Sequence, residues 1–142
     1  MRGTNWYGAH MEPKVNNGLS HQPLRTIARI IRHLGFNHVR LNYAVAMWFE
    51  HMKGVPVEAK FIAANPELFN RTSLEVFDAV VRALTDEGLL VVINCHTSDY
   101  RWCCSLHDEQ SLWYNRRWSE QHWLESLQGL ADRYASNPRV VG

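Results

Sequence analysis

Residues 89–95, Leu-Leu-Val-Val-Ile-Asn-Cys, constrain the fold more than any other part of the chain. A strand with one wet face alternates apolar and polar residues. This run is nearly continuous in its apolar character, as strands covered on both faces are, and so predicts a buried strand of a parallel sheet. It delivers His96 to its C-terminal end and opens into an aromatic-rich segment containing Trp102 and Trp113. The flanking segments agree with a parallel sheet. Leu24, Ile27, Ala28, Ile31 and Leu34 recur at helical spacing over 23–34, with Pro23 suited to a first turn and Gly35 to the position past the end. Residues 38–43 read as a strand, with Val39, Leu41 and Tyr43 facing one way and Arg40 and Asn42 the other.

Thr72-Ser-Leu-Glu75 fits a capping box and opens a second helix, whose stripe is Leu74, Phe77, Val80, Val81 and Leu84 and whose end is Gly88. A third helix is predicted over 119–135, with Trp123, Leu124, Leu127, Leu130, Ala131 and Tyr134 in its stripe and Asn137-Pro138 after it. Residues 5–9 form a short first strand, and 139–142 read as the start of a fourth. Residues 44–71 are irregular, with Gly54, Pro56 and Pro66 among scattered aromatics, and are expected to form a long loop with a turn or two of helix.

Alternating βα units build either a doubly wound open sheet or a (β/α)8 barrel. Residues 8–18 contain no G-x-G-x-x-G, so the phosphate-binding turn of a dinucleotide-binding sheet is not supported. Polar and aromatic residues follow the strands instead: His10 and Glu12, then Asn42, Tyr43 and Trp48, then His96, Asp99, Tyr100 and Trp102. Barrel enzymes carry their sites on the loops at that face. The expected fold is therefore α/β, the first half, about four βα units, of a (β/α)8 TIM barrel.

A hydrophobic content of 46% with 20% charged residues is globular composition, and a formal charge of +1 provides no field to gather nucleic acid. The apolar runs fall far short of the roughly 20 residues that span a bilayer, so no membrane partner is expected. The first residues lack the apolar core of a signal peptide. Cys95, Cys103 and Cys104 do not make a disulfide framework, and the adjacent pair is poorly shaped for bonding to each other. Asn70-Arg-Thr72 is an N-glycosylation sequon, meaningful only in a secreted chain and common by chance.

Arg40 is a permanent charge on a strand, where it requires a carboxylate partner. Two readings stand beside each other: a support for a catalytic carboxylate, and a structural salt bridge within the sheet. His96 ends its strand positioned to hydrogen-bond a ligand. Trp6, Trp48, Trp102 and Trp113 fall at strand ends or in loops, where an indole face can stack on a sugar or plug a gap, whereas Trp123 belongs to a helix stripe. A zinc site from Cys95, His96, Cys103, Cys104 and His107 fits poorly, since the spacings lack C-x2-C and H-x3-H, and no metal or other cofactor is expected. Glu12, Glu50, Asp99 and Asp108 could pair as acid and base about 5–10 Å apart, but none ends a strand, and turn capping or hydroxyl binding suits each better.

Taken in order, Gly3-Thr-Asn-Trp-Tyr-Gly8, residues 34–43 with Arg40, Val92-Ile-Asn-Cys-His-Thr-Ser98, Trp102-Cys-Cys-Ser105, residues 108–114 and residues 137–142 resemble glycoside hydrolase family 5, the cellulases. The resemblance runs over essentially the whole chain. It implies retaining hydrolysis of O-glycosyl bonds in β-linked glucans or mannans by two glutamates, one acid/base and one nucleophile. It further implies that Arg40 supports the nucleophile and His96 contacts the sugar, with Trp6, His10, Tyr43, Trp48, Trp102 and Trp113 as substrate-binding candidates. In the family the acid/base ends the fourth strand and the nucleophile the seventh. Residues 1–142 are accordingly expected to be a partial catalytic domain, truncated at the fourth strand, without either glutamate and inactive alone. The partner expected is a β-linked polysaccharide or oligosaccharide, with self-association through exposed sheet edges, and secretion follows from the family. A non-catalytic carbohydrate-binding or dimerising half-barrel is the alternative.

Overall fold

The computed structural model describes residues 2–103, 105 and 107–142. Three parallel strands, β1 (Gly3–Trp6), β2 (His38–Ala44) and β3 (Leu90–Thr97), pair in the order β1-β2-β3. Val140 bridges Val91 in parallel, with Val91 N donating to Arg139 O at 2.8 Å and Val141 N to Val91 O at 2.9 Å. Residues 139–142 thus lie beside β3, where a fourth strand is predicted. Each strand sits next to its predecessor with no reversal of direction. A doubly wound sheet reverses, so that helices cover both faces; a sheet wound one way gathers its helices on one side and leaves the other as a barrel interior. Four helices, α1 (Leu24–His33), α2 (Val45–Met52), α3 (Ser73–Asp86) and α4 (Glu120–Tyr134), pack in the succession α1–α3, α3–α2 and α2–α4.

The strand alternation decides what each face holds. Val39, Leu41 and Tyr43 of β2 pair in register with Val91, Ile93 and Cys95 of β3, and this side is buried against Leu24, Ala28, Leu74, Phe77, Val80 and Leu84 from the helices. Each fully buried leucine of this layer contributes about 1.5–3 kcal/mol relative to exposure. Arg40 pairs with Val92 and Asn42 with Asn94 on the opposite, inner side.

The capping box before α3 is realised. Glu75 N donates to Thr72 Oγ1 at 3.3 Å and Thr72 N to Glu75 Oε2 at 2.8 Å, and those backbone and hydroxyl bonds hold the Glu75 carboxyl below its usual range. Residues 44–71 are more ordered than expected: α2 starts directly after β2, and two 3-10 turns, Ala59–Ile62 and Pro66–Leu68, follow. The sequence hides α2 because Ala44 offers no capping side chain and Val45, Ala46 and Met47 are all buried, which leaves no polar stripe to mark a helical period. Asn65, fully buried, stitches this segment to α1, its Nδ2 donating to Leu19 O and its Oδ1 accepting from Leu24 N at 2.7 Å. Among the described residues no helix is long and apolar enough to cross a membrane.

Candidate functional site

At the C-terminal ends of the strands, four rings from three segments converge. His10 and His96 meet edge-on with centroids 4.6 Å apart. Tyr7 lies 5.5 Å from His10 and 5.8 Å from His96, and Trp102 lies 6.3 Å from Tyr7 and 6.5 Å from His10.

Local chain geometry puts each ring there. β1 starts two residues before the predicted 5–9 and ends three residues before its expected end, at Trp6, and Gly8 turns the chain with φ 123°. A Cβ at Gly8 would strike the backbone of Val15 and Asn17, so this close approach requires glycine. Asn17 N donates to Tyr7 O at 2.8 Å and Asn16 Nδ2 to Trp6 O at 2.9 Å, closing the loop that carries His10. On β3 the register slips between Tyr43–Cys95 and Ala44–Thr97, leaving His96 as an extra residue opposite the step. The strand thus runs past His96 to Thr97, and the bulge re-aims the histidine, a device common beside active sites. Asn94 Nδ2 donates to His96 Nδ1 at 3.2 Å, so the neutral ring carries its proton on Nε2, which lies 3.7 Å from Cys103 Sγ.

The electrostatics of this face are those of a surface arranged for something other than itself. Among the described residues, both ring nitrogens of fully buried His10, and both amide atoms of fully buried Asn42, have no hydrogen-bond partner. Burial, then the charges of His96 and Arg40, push the His10 imidazole down to about 4. Burial and then Arg40 lower His96. Both histidines are therefore neutral at pH 7 and able to donate and accept. Among the described residues Arg40 has no ion-pair partner.

The carboxylates of the surrounding loops are engaged elsewhere. Glu50 holds Lys14 Nζ at 2.8 Å, and that ammonium lies over the Tyr100 ring. Asp99 accepts from Trp118 Nε1 at 2.7 Å and Arg117 at 3.2 Å, while Gln110 Oε1 accepts from the backbone of Ser98 and Asp99, so the loop after β3 is tied to the strand end. Asp108 caps a turn, accepting from Ser105 N and Gln110 N, and Glu12 is exposed.

Of the substrate-binding candidates, His10 and Trp102 come together with His96, and Arg40 lies on the inner face of β2. The others do not join them. Trp6 shares the side of Leu41, is 7% exposed and donates its Nε1 to Asn17 O, so it belongs to the helix-side core. Tyr43 is buried on the same side, its hydroxyl 3.3 Å from Ser126 Oγ, and burial raises its phenol well above the usual range. Trp48 packs on Gly129 of α4, where a Cβ would strike its ring, and its Nε1 reaches Glu125. Trp113 lies tilted against Trp123, centroids 6.3 Å apart, and its Nε1 donates to Glu120 at the start of α4. Tyr7 and Asn94 are site residues that sequence reasoning passed over; the strand alternation that marks Arg40 and Asn42 would have found Asn94. Cys95 has a free thiol, pushed up to about 11 by burial, whereas Cys103 is disulfide-bonded. Expectations resting on Cys104, for pairing or for zinc, lie outside the described residues; among those described, no three His, Cys, Asp or Glu form a group that could hold a metal ion.

A one-way parallel sheet with helices on one side and a polar, aromatic inner face is the beginning of a (β/α)8 barrel. The sequence profile of cellulase (glycosyl hydrolase family 5) matches residues 2–142, and the chain belongs to that family. A glycosyl hydrolase 5 family protein of Chamaecyparis obtusa is 31% identical over 96% of this chain and 27% of its own length. The major extracellular endoglucanase of Xanthomonas campestris is 28% identical, with 100% of this chain matching 28% of that protein. The solved catalytic domain of that endoglucanase superposes with TM-score 0.83 at 29% identity, covering 99% of this chain and 38% of the domain. A cellotetraose complex of an endocellulase variant from Pyrococcus horikoshii gives TM-score 0.83 at 25% identity, covering 99% and 35%. The chain thus spans about a third of the length of the proteins it matches.

Proposed function

We propose that these residues form the substrate-gripping part of a secreted, retaining β-glucan hydrolase and that the 142-residue chain alone binds but does not cleave. The observation that carries the reading is the convergence of Tyr7, His10, His96 and Trp102 above an inner face whose polar groups are left unpartnered. A β-linked pyranose presents apolar C–H faces and a girdle of hydroxyls. Trp102, 63% exposed, supplies a flat apolar face for the first, and the partly exposed, neutral imidazole of His96, with fully buried His10 packed edge-on against it, supplies polar contact for the second.

Arg40, with no carboxylate partner among the described residues, is the group that would hold a nucleophilic glutamate ionised on this face. Retaining hydrolysis needs two carboxyl groups about 5–5.5 Å apart across the glycosidic bond. Glu50, Asp99 and Asp108 are engaged by Lys14, Trp118 and a loop turn, which supports the reading that the chain alone does not cleave. The extracellular relative supports secretion.

Titration with cellotetraose, followed by tryptophan fluorescence, tests the reading. Trp102→Ala is expected to weaken binding roughly tenfold, about 1.4 kcal/mol, with Trp113→Ala near wild type. Equal effects of the two substitutions would remove the gripping role, and release of reducing ends by the purified chain would overturn its inactivity.

A further inference from the structure

We propose that Asn70 is a modification site carrying an N-linked oligosaccharide, a reading that rests on secretion through a eukaryotic pathway. No other asparagine of the sequence stands in the Asn-X-Ser/Thr motif with X other than proline. Asn70 and Arg71 are exposed in a turn between Pro66–Leu68 and α3, and Asn70 has φ 62°, in the left-handed region that asparagine tolerates better than most residues. The turn is pinned from both sides: Thr72 bridges Pro56, and Val57 N donates to Arg71 O at 2.9 Å. Other asparagine amides are built into the fold, as at Asn16 and Asn65, whereas that of Asn70 takes part in no hydrogen bond among the described residues. Phe69, 39% exposed beside it, offers an apolar ring for the first sugar to cover.

The hydroxyl of Thr72 is buried in the folded chain, capping α3 and bonded to His51 Nδ1 at 2.8 Å. This places the reaction before folding is complete. The Asn70 amide nitrogen attacks C1 of a lipid-diphosphate-linked oligosaccharide; the N–C1 bond forms, the C1–O bond to the lipid diphosphate breaks, and the amide loses one proton. Once α3 closes over Thr72, the glycan stands on the turn that leads into α3.

The test is mass spectrometry of the native protein after peptide N-glycosidase treatment in heavy-oxygen water. The peptide spanning Asn70 is expected to carry labelled aspartate in most molecules. Protein recovered from the extracellular fluid with unmodified Asn70 would overturn the proposal and leave secretion standing; protein found inside the cell with unmodified Asn70 would remove both. In a eukaryotic secretion host, Asn70→Gln is expected to lose the glycan and keep the fold, since it leaves the Thr72 cap in place. Thr72→Ser, which keeps both the motif and a capping hydroxyl, retains the glycan if the motif is the determinant, and its loss would count against the proposal.

Discussion

Val39, Leu41 and Tyr43 on one side of β2, and Arg40 and Asn42 on the other, belong to the same strand yet end in opposite circumstances. The first set is enclosed by α1, α3 and α4, and even the Tyr43 hydroxyl finds Ser126. The second set meets histidines and asparagines, and Arg40 and Asn42 find no partner among the described residues. A fold gains nothing from a buried amide with both ends unpaired, which costs about 1–3 kcal/mol. The helix-side face therefore answers for stability and the inner face for what the chain binds.

The sharpest way to break this comparison is to cut into the helix-side face. Leu41→Ala, at a fully buried position, is expected to lower unfolding free energy by about 2–5 kcal/mol in urea titration, while leaving any residual sugar affinity of the folded fraction unchanged.

An intermediate effect is expected from acid. His10 titrates at about 4 when folded against 6.5 when unfolded, so the unfolded chain takes up its proton first. Stability from this group is constant above pH 6.5 and falls as pH is lowered from 6.5 towards 4. His10→Phe should flatten that part of the stability-versus-pH curve; an unchanged slope would mean the imidazole is not desolvated as its burial implies.

The smallest effect is expected on the inner face itself. Asn42→Leu should leave thermal stability within about 1 kcal/mol of wild type or raise it, because it removes a buried group that has no partner. A loss as large as that of Leu41→Ala would erase the distinction between the two faces.

Much of this division was legible before any coordinates. Period-2 alternation in residues 38–43 separates Arg40 and Asn42 from Val39, Leu41 and Tyr43, and the capping box and stripe locate α3 almost to the residue. Yet Tyr43, placed by that same alternation with the core, still reads as a sugar contact when its position at a strand end is weighed more heavily than its parity. Trp6 and Trp48 misled similarly: an indole beside a strand end carries no mark of whether it faces Asn17, Gly129 or a ligand. α2 stayed hidden because burial around its first turn removed the polar period that reveals a helix. The bulge at His96 is a pairing property of two strands and leaves no trace in either one alone.

The measurement that tests the central claim most directly is NMR of the histidine ring protons during titration with cellotetraose. The account predicts that His10 and His96 signals shift together and saturably, while His33 and His122, on α1 and α4, stay still, and that an α-linked glucan produces no such response. Cellotetraose that leaves His10 and His96 unmoved, or moves all the histidines alike, would contradict it.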